Sequence, residues 1–227
     1  MRFSRCSLVL LGALFVMPEV AQADEVPQSF AHLKKVDTND TGRLYVHPKQ
    51  TCAPKVLDEE GPERTELCRL AIAANTVVVE FSNGSSDDPE FLLRVGEESL
   101  LLPGTSLYAP GGASIYVSGW TNSFHPQRRK FTFDGQRFVE VAQPFEYVGV
   151  KSRVTHGGEE GGSTTVTLFA DKEKKGKVAV LPEGSEIEVL LADRDGWYLV
   201  RTAFGLVGWY SIDGDLITPI GLVFAGD

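Results

Sequence analysis

Two cysteines stand where they could form a covalent cross-link. Apart from Cys6 near the N-terminus, Cys52 and Cys68 are the only cysteines of the 227-residue chain. Closing a loop of about 17 residues stabilises a protein by on the order of 3 kcal/mol, because it restricts the unfolded chain. A redox pair would more often have Cys-x-x-Cys spacing, and a zinc site would need two further ligands nearby. We therefore predict a structural disulfide between Cys52 and Cys68.

No combination of residues predicts catalysis. With both cysteines assigned to a disulfide, no free thiolate remains for a Cys-His nucleophilic site, and no Gly-x-Ser-x-Gly elbow occurs. The four histidines lack the spacing of a zinc motif; they are His32, His47, His125 and His156. The sequence predicts a protein that is not an enzyme, with no metal and no cofactor.

A group of aromatic residues near the C-terminus is the strongest candidate for ligand contact. The stretch DGWYLVRTAFGLVGWYSIDG, from Asp195 to Gly214, holds two Trp, two Tyr and one Phe around short Gly-containing turns. Aromatic side chains at this density form either the core of a small β-barrel or a groove that holds a ligand. The two alternatives differ in which face of each strand carries the aromatic rings.

The N-terminus has the pattern of a cleaved secretory signal peptide. Arg2 and Arg5 precede a run of apolar residues, LVLLGALFVM, and Ala21-Gln22-Ala23 follows as a cleavage site. The run is too short for the roughly 20 residues of a membrane-spanning helix. We expect residues 1–23 to be removed and the mature protein to be periplasmic or secreted, without a membrane span or lipid anchor. The net charge of the full chain, −9, disfavours nucleic-acid binding.

The fold class predicted for the mature chain is mainly β. Short β-branched or aromatic runs such as Thr76–Phe81 and Phe91–Val95 alternate with Asn-Gly, Pro-Gly and Asp-Gly turns. A two-residue type I′ turn at Asp134-Gly135 would set Phe131 opposite Phe138 and Arg129 opposite Glu140. One short helix is predicted over Pro62–Asn75, because Pro62 suits a first helical position and apolar residues follow at helical spacing.

The composition changes at residues 155–163, where Thr-His-Gly-Gly-Glu-Glu-Gly-Gly-Ser contains no apolar residue. Such a stretch is typical of a linker. We therefore predict a β-rich domain at 24–155, a Gly-rich linker at 156–163 and a small β-barrel at 164–227.

The C-terminal segment resembles the bacterial SH3-like (SH3b) domain family between Thr164 and Gly214. The resemblance rests on the order LPEGSEIEVL, DGWYLVRT and GLVGWYSID, and the positions that match the family pattern are Gly184, Val189, Trp197, Val200, Gly205, Gly208 and Trp209. It implies a small SH3-like barrel that acts as a binding module. Members of the family are attached to many exported proteins, including cell-wall hydrolases.

Strand alternation assigns faces within this segment. A four-residue loop at Asp193–Gly196 would pair Val189 with Val200 and Leu191 with Tyr198, and these residues would share the core with Ile187. Glu188 would then meet Arg201 on the opposite face. The groove candidates on that face are Trp197, Leu199 and Arg201, with Tyr210 in second place because it alternates away from Trp209, which we expect in the core.

The function predicted from these features is that of an exported, non-catalytic binding protein whose SH3-like module recognises a cell-wall peptide or a protein segment. In one alternative the N-terminal domain binds a small molecule or saccharide, since aromatic and basic side chains can stack on sugars and hold anions. The candidates for that site are Tyr116, Trp120, His125 and Arg128. A further alternative is an envelope enzyme whose site the sequence does not reveal.

Overall fold

A computed structural model describes residues 26–36, 42–58, 64–84, 88–156, 165–212 and 218–226. The predicted signal peptide lies outside these residues. The mainly β class is confirmed: three sheets account for the architecture, and the helical structure in the described part is a 3-10 turn at Gln28–Phe30. None of the described helical segments has the length and apolar character needed to cross a membrane.

The first sheet is built from strands that come before and after the second sheet in the sequence. Its six strands are, in spatial order, β1 (Lys34–Val36), β2 (Arg43–Val46), β8 (Ser106–Ala109), β9 (Ser114–Gly119), β10 (Gln127–Phe133) and β11 (Phe138–Glu140). Strands β2 and β8 run parallel, with Leu44 beside Leu107, and the other pairs are antiparallel.

The second sheet is an antiparallel meander inserted between β2 and β8. Its five strands follow one another in space as in the chain: β3 (Lys55–Asp58), β4 (Arg64–Ile72), β5 (Asn75–Ser82), β6 (Glu90–Val95) and β7 (Glu98–Pro103). A single cluster of buried side chains joins its inner face to that of the first sheet, so the two sheets form a β-sandwich. Phe81 and Phe91 lie at its centre with ring centroids 5.1 Å apart.

The helix predicted over Pro62–Asn75 is wrong. Residues 64–72 form β4 and turn directly into β5 through Ala73 and Ala74, whose φ angles of 46° and 68° are left-handed. Along β4, Cys68, Leu70 and Ile72 are buried whereas Arg69 and Ala71 are exposed, which is the two-residue period of a strand. Packing of every second side chain into the sandwich core therefore favours a strand over a helix here.

The predicted disulfide is present. Cys52 and Cys68 are bonded, with their Cα atoms 4.6 Å apart, a separation within the ordinary range for disulfides. The bond ties the segment before β3 to β4, and Cys68 itself belongs to the sandwich core.

The third sheet has a core of its own. Its strands lie in the order β12 (Glu146–Arg153), β15 (Glu186–Ala192), β16 (Trp197–Thr202), β17 (Val207–Ser211), β13 (Thr165–Phe169) and β14 (Lys177–Pro182). Strand β12 precedes the predicted linker in the chain, and the C-terminal residues Ile220 and Leu222 complete the core. Among the described strands, β12 and β14 do not pair with each other, so the sheet is open and an SH3-like barrel is not confirmed.

The β10–β11 hairpin differs from its predicted form. Phe133 pairs with Phe138, and Phe131 faces Glu140, because the loop has four residues rather than two. Asp134 starts the loop: its Oδ1 accepts hydrogen bonds from the amides of residues 136 and 137, at 2.8 and 2.9 Å. The predicted pairing of Arg129 with Glu140 is therefore wrong, and Arg129 instead donates to the carbonyl of Pro103 at 2.8 Å.

Candidate functional site

The outer face of the third sheet gathers half-buried aromatic and apolar side chains. Register places Leu199 beside Trp209, and Trp209 beside Phe169. Leu199 alternates with Tyr198 and Val200, which are buried in the core. Trp209 therefore lies on the outside of the sheet. We call this surface the tryptophan face and define it by Trp197, Leu199, Arg201 and Trp209, together with the side chains that cover them, Phe145, Lys172 and Lys174.

Trp209 is enclosed by an aromatic ring and a cation. The Phe145 ring centroid is 6.0 Å from that of Trp209, at a tilt of 37°. Lys172 places its Nζ 4.7 Å from the Trp209 ring centroid and 5.8 Å from that of Phe145. Both lysine contacts fall within the range of cation–π attraction.

Asp193 organises the loop that carries Trp197. Its carboxylate forms an ion pair with Lys172, and its Oδ1 accepts hydrogen bonds from the backbone amides of Asp195 and Trp197 at 2.9 and 2.8 Å. Burial raises the pKa of this carboxyl, but the hydrogen bonds from Lys172 and the two amides outweigh burial and hold the pKa below its ordinary value. Asp193 thus remains ionised and fixes Lys172 and Trp197 relative to each other.

Trp197 is half-buried, and a second cation stands over it. Lys174 lies at the tip of the β13–β14 hairpin and places its Nζ 5.8 Å from the Trp197 ring centroid. Lys174 adopts a left-handed φ of 60° in this tip, which Asp171 stabilises by accepting hydrogen bonds from the amides of Glu173 and Lys175. The tip thereby places Lys172 and Lys174 over the tryptophan face.

Three of the four groove candidates lie on the face of the sheet that the sequence predicts. Trp197, Leu199 and Arg201 share the outer face, and Arg201 pairs with Glu188 as predicted. The fourth, Tyr210, lies opposite Tyr198 and packs against the core. The prediction that Trp209 belongs to the core is wrong, because β17 has the reverse orientation: its small residue Gly208 is buried against Leu168.

A bulge shifts one end of the predicted β15–β16 register. Val189 pairs with Val200 as expected, but the register shifts at Leu190, so that Leu191 faces Leu199 and Ala192 faces Tyr198. The predicted Leu191–Tyr198 pair is therefore wrong. The core positions Ile187, Val189, Tyr198 and Val200 are confirmed as buried.

Of the four N-terminal candidates, Trp120 and His125 both contact Ser123, whereas Tyr116 and Arg128 have other partners. Tyr116 packs against Phe30 with ring centroids 5.0 Å apart, and Trp120 donates its indole N–H to the carbonyl of Ser123 at 2.8 Å. His125 is buried, whereas Arg128 is exposed.

None of these four lines the cleft of about 360 Å³ that opens at the edge of the sandwich between β7 and β11. That cleft is therefore not part of the site predicted around Tyr116, Trp120, His125 and Arg128.

Within the described residues, no group of three or more His, Cys, Asp or Glu side chains is placed to hold a metal ion. What the tryptophan face can do chemically is bind: it offers aromatic surface for stacking and ammonium groups for a negatively charged ligand.

Comparison with known proteins adds no assignment. No family model matches the chain, and neither the curated proteins nor the solved structures include a match to it. The function must therefore be argued from the site itself.

Sequence reasoning missed four members of the tryptophan face, Phe145, Lys172, Lys174 and Trp209. Phe145 precedes β12, outside the segment that resembles the SH3-like family, so that segment alone could not reveal it. The run KEKKGK at 172–177 was visible as a basic hairpin tip, but its position over Trp197 and Trp209 depends on how the tip folds across the sheet.

Proposed function

We propose that this chain is an exported, non-catalytic binding protein whose third sheet is an SH3-like module, and that the tryptophan face binds a cell-wall peptide. The observation that carries the proposal is the placement of Lys172 and Lys174 over Trp209 and Trp197 on the solvent side of the sheet. Two large rings offer contact area at low conformational cost, and this is the usual composition of a binding hot spot.

The charge of the face supports a ligand with carboxylates. The chain is acidic overall, with a net charge of −9, but the β13–β14 tip concentrates Lys172, Lys174, Lys175 and Lys177. Lys172 and Lys175 already form ion pairs with Asp193 and Glu173, so Lys174, over Trp197, is the lysine that would complement a free carboxylate of a cell-wall stem peptide. Export is supported by the leader pattern and by the Cys52–Cys68 disulfide, a bond that persists in oxidising compartments.

Trp197→Ala tests this proposal. Trp197 lies outside the core of the third sheet, so we expect the variant to lose at least about tenfold in affinity for soluble peptidoglycan fragments, equivalent to about 1.4 kcal/mol, while its melting temperature stays close to that of the wild type. Isothermal titration calorimetry and thermal unfolding give the two values.

The matched control is Phe204→Ala. Phe204 is 89 % exposed at the β16–β17 turn and lies outside the tryptophan face, so its loss should leave affinity unchanged. Equal losses of affinity in both variants, or no loss in Trp197→Ala, would refute the assignment of the face. Binding of acidic protein segments but not of wall fragments would refute the ligand class.

A further inference from the structure

A buried histidine of the sandwich contacts the third sheet. His125 lies in the loop between β9 and β10 and is 4 % exposed. Its Nε2 is 2.9 Å from Oε2 of Glu146, the first residue of β12, and its ring meets the Tyr198 ring edge-on at 5.9 Å. Its Nδ1 is buried and has no hydrogen-bond partner among the described residues. A proton on Nε2 is donated to the Glu146 carboxylate, which when ionised can only accept hydrogen bonds.

The loop that carries His125 also contacts the C-terminal segment of the chain. Ser123 and Ala225 exchange backbone hydrogen bonds of 3.3 and 2.9 Å, and the Phe124 and Phe224 rings meet at 5.2 Å. The hydroxyl of Ser123 also donates to the carbonyl of His125 at 2.6 Å. These hydrogen bonds and the ring contact fix the loop that positions the imidazole.

The partner of His125 immediately follows a member of the tryptophan face. Glu146 is covalently adjacent to Phe145, whose ring packs against Trp209. On the other side of the segment, Glu140 forms an ion pair with Arg194 at 2.8 Å. The short connection between β11 and β12 is thus fixed at both ends, and Phe145 lies at the end held by His125.

We infer that His125 is a positioning residue for the tryptophan face: by holding Glu146 it fixes Phe145 against Trp209, so that the sandwich and the third sheet build the binding surface together. The ligand readout of this inference rests on the proposed function, whereas the position of Phe145 can be measured without any ligand.

Acid offers a second way to release the contact. The charged and titratable groups that act on Glu146 are His125 from the β9–β10 loop, Arg194 from the β15–β16 loop and Arg129 from β10, and its charge is felt in turn by Tyr198 on β16. The hydrogen bond from His125 is the largest influence and lowers the pKa of Glu146 below its ordinary 4.5, although burial opposes it. A carboxyl with a lowered pKa stabilises the folded state above its ordinary pKa and loses that contribution as pH falls through the lowered value.

The test compares His125→Ala with His125→Gln in the full chain. The Gln side-chain amide can donate to Glu146 from nearly the position of Nε2, whereas Ala cannot. The first readout is the set of nuclear Overhauser contacts between the Phe145 ring and the Trp209 indole, followed from pH 7 to well below the ordinary carboxyl pKa, because the pKa of Glu146 is lowered from 4.5. The second is affinity for peptidoglycan fragments, with thermal unfolding measured alongside.

We expect His125→Ala to lose the ring contacts and about tenfold in affinity, and His125→Gln to retain both. The wild type should lose the ring contacts in acid, whereas Glu146→Gln, which cannot ionise, should show no such pH dependence. Ring contacts that persist in His125→Ala and in acid would overturn the inference, as would equal losses in the Ala and Gln variants. If the wild type binds no wall fragment, the proposed function fails, and the ring contacts alone decide the role of His125.

Discussion

Reduction of the Cys52–Cys68 disulfide is expected to destabilise the sandwich by an amount that the loop length sets. The two residues are 16 apart in the chain, and closing a loop of this size removes about 3 kcal/mol of unfolded-state entropy at 25 °C. Since 1.4 kcal/mol is a factor of ten in an equilibrium constant, reduction should lower the ratio of folded to unfolded sandwich by roughly 150-fold. Reduction removes no atom from Cys68 in the core or from Cys52 packed against it, so we expect no large cavity to accompany the loss of the bond.

Urea unfolding with and without dithiothreitol, followed by circular dichroism, measures this difference. The disulfide belongs to the sandwich, whose core is distinct from that of the third sheet, so the transition that reports on the sandwich should shift. A double variant, Cys52→Ala with Cys68→Ala, serves as the control and should not respond to dithiothreitol. A shift below about 1 kcal/mol, within the spread of weak disulfide effects, would refute the argument, as would a shift confined to the third-sheet transition.

Two further predictions concern the two cores. Burial, reinforced by the charges of Glu146 and Asp193, raises the pKa of Tyr198 to about 12. Ultraviolet titration should therefore show one tyrosine that ionises near this pH, and Tyr198→Phe should lack it. Folding stability should fall as pH rises above the ordinary tyrosine range, because Tyr198 ionises at a lower pH in the unfolded chain than in the folded protein. Phe81 is 2 % exposed at the centre of the sandwich, so Phe81→Ala should cost about 3–5 kcal/mol through lost transfer energy and a residual cavity; a loss below about 1 kcal/mol in chemical denaturation would show that the sandwich is not packed around this ring.

The sequence predicts most strongly where alternation and turn chemistry agree. Val189, Val200 and Tyr198 were assigned to the core from strand period alone, and all three are buried. The Cys52–Cys68 bond followed from cysteine count and spacing. These features are local, so neighbouring residues contain enough information to specify them.

The errors arise where the deciding contact lies elsewhere in the chain. Ala73 and Ala74 adopt a left-handed turn that Gly or Asn would normally mark, so the β4–β5 hairpin resembled the end of a helix. The orientation of β17 depends on Gly208, because a Cβ there would come within 2.9 Å of the Leu168 Cβ. That close approach was invisible without the partner strand, and so Trp209 and Tyr210 were assigned to the wrong faces.

The candidate site was predictable in part for the same reason. Trp197, Leu199 and Arg201 belong to one strand, whose period reveals their common face. Phe145, Lys172 and Lys174 reach that face from other segments. In our inference the position of Phe145 is fixed by the contact of the adjacent Glu146 with His125 of the sandwich. Only the tertiary fold brings these residues together.

The parallel pair β2–β8 determines the order in which the sandwich can assemble. All five strands of the second sheet lie between the two members of this pair. The hairpins of that meander are local and can close within about 1–10 μs, but β2 must wait for a partner about 60 residues further along, and such long-range pairing slows folding. Until β8 arrives, β2 can pair only with β1, and the open edge of this apolar strand is a site for aggregation. The rate-limiting event in folding should therefore be the joining of the two sheets, and the period before it is when the chain most needs protection.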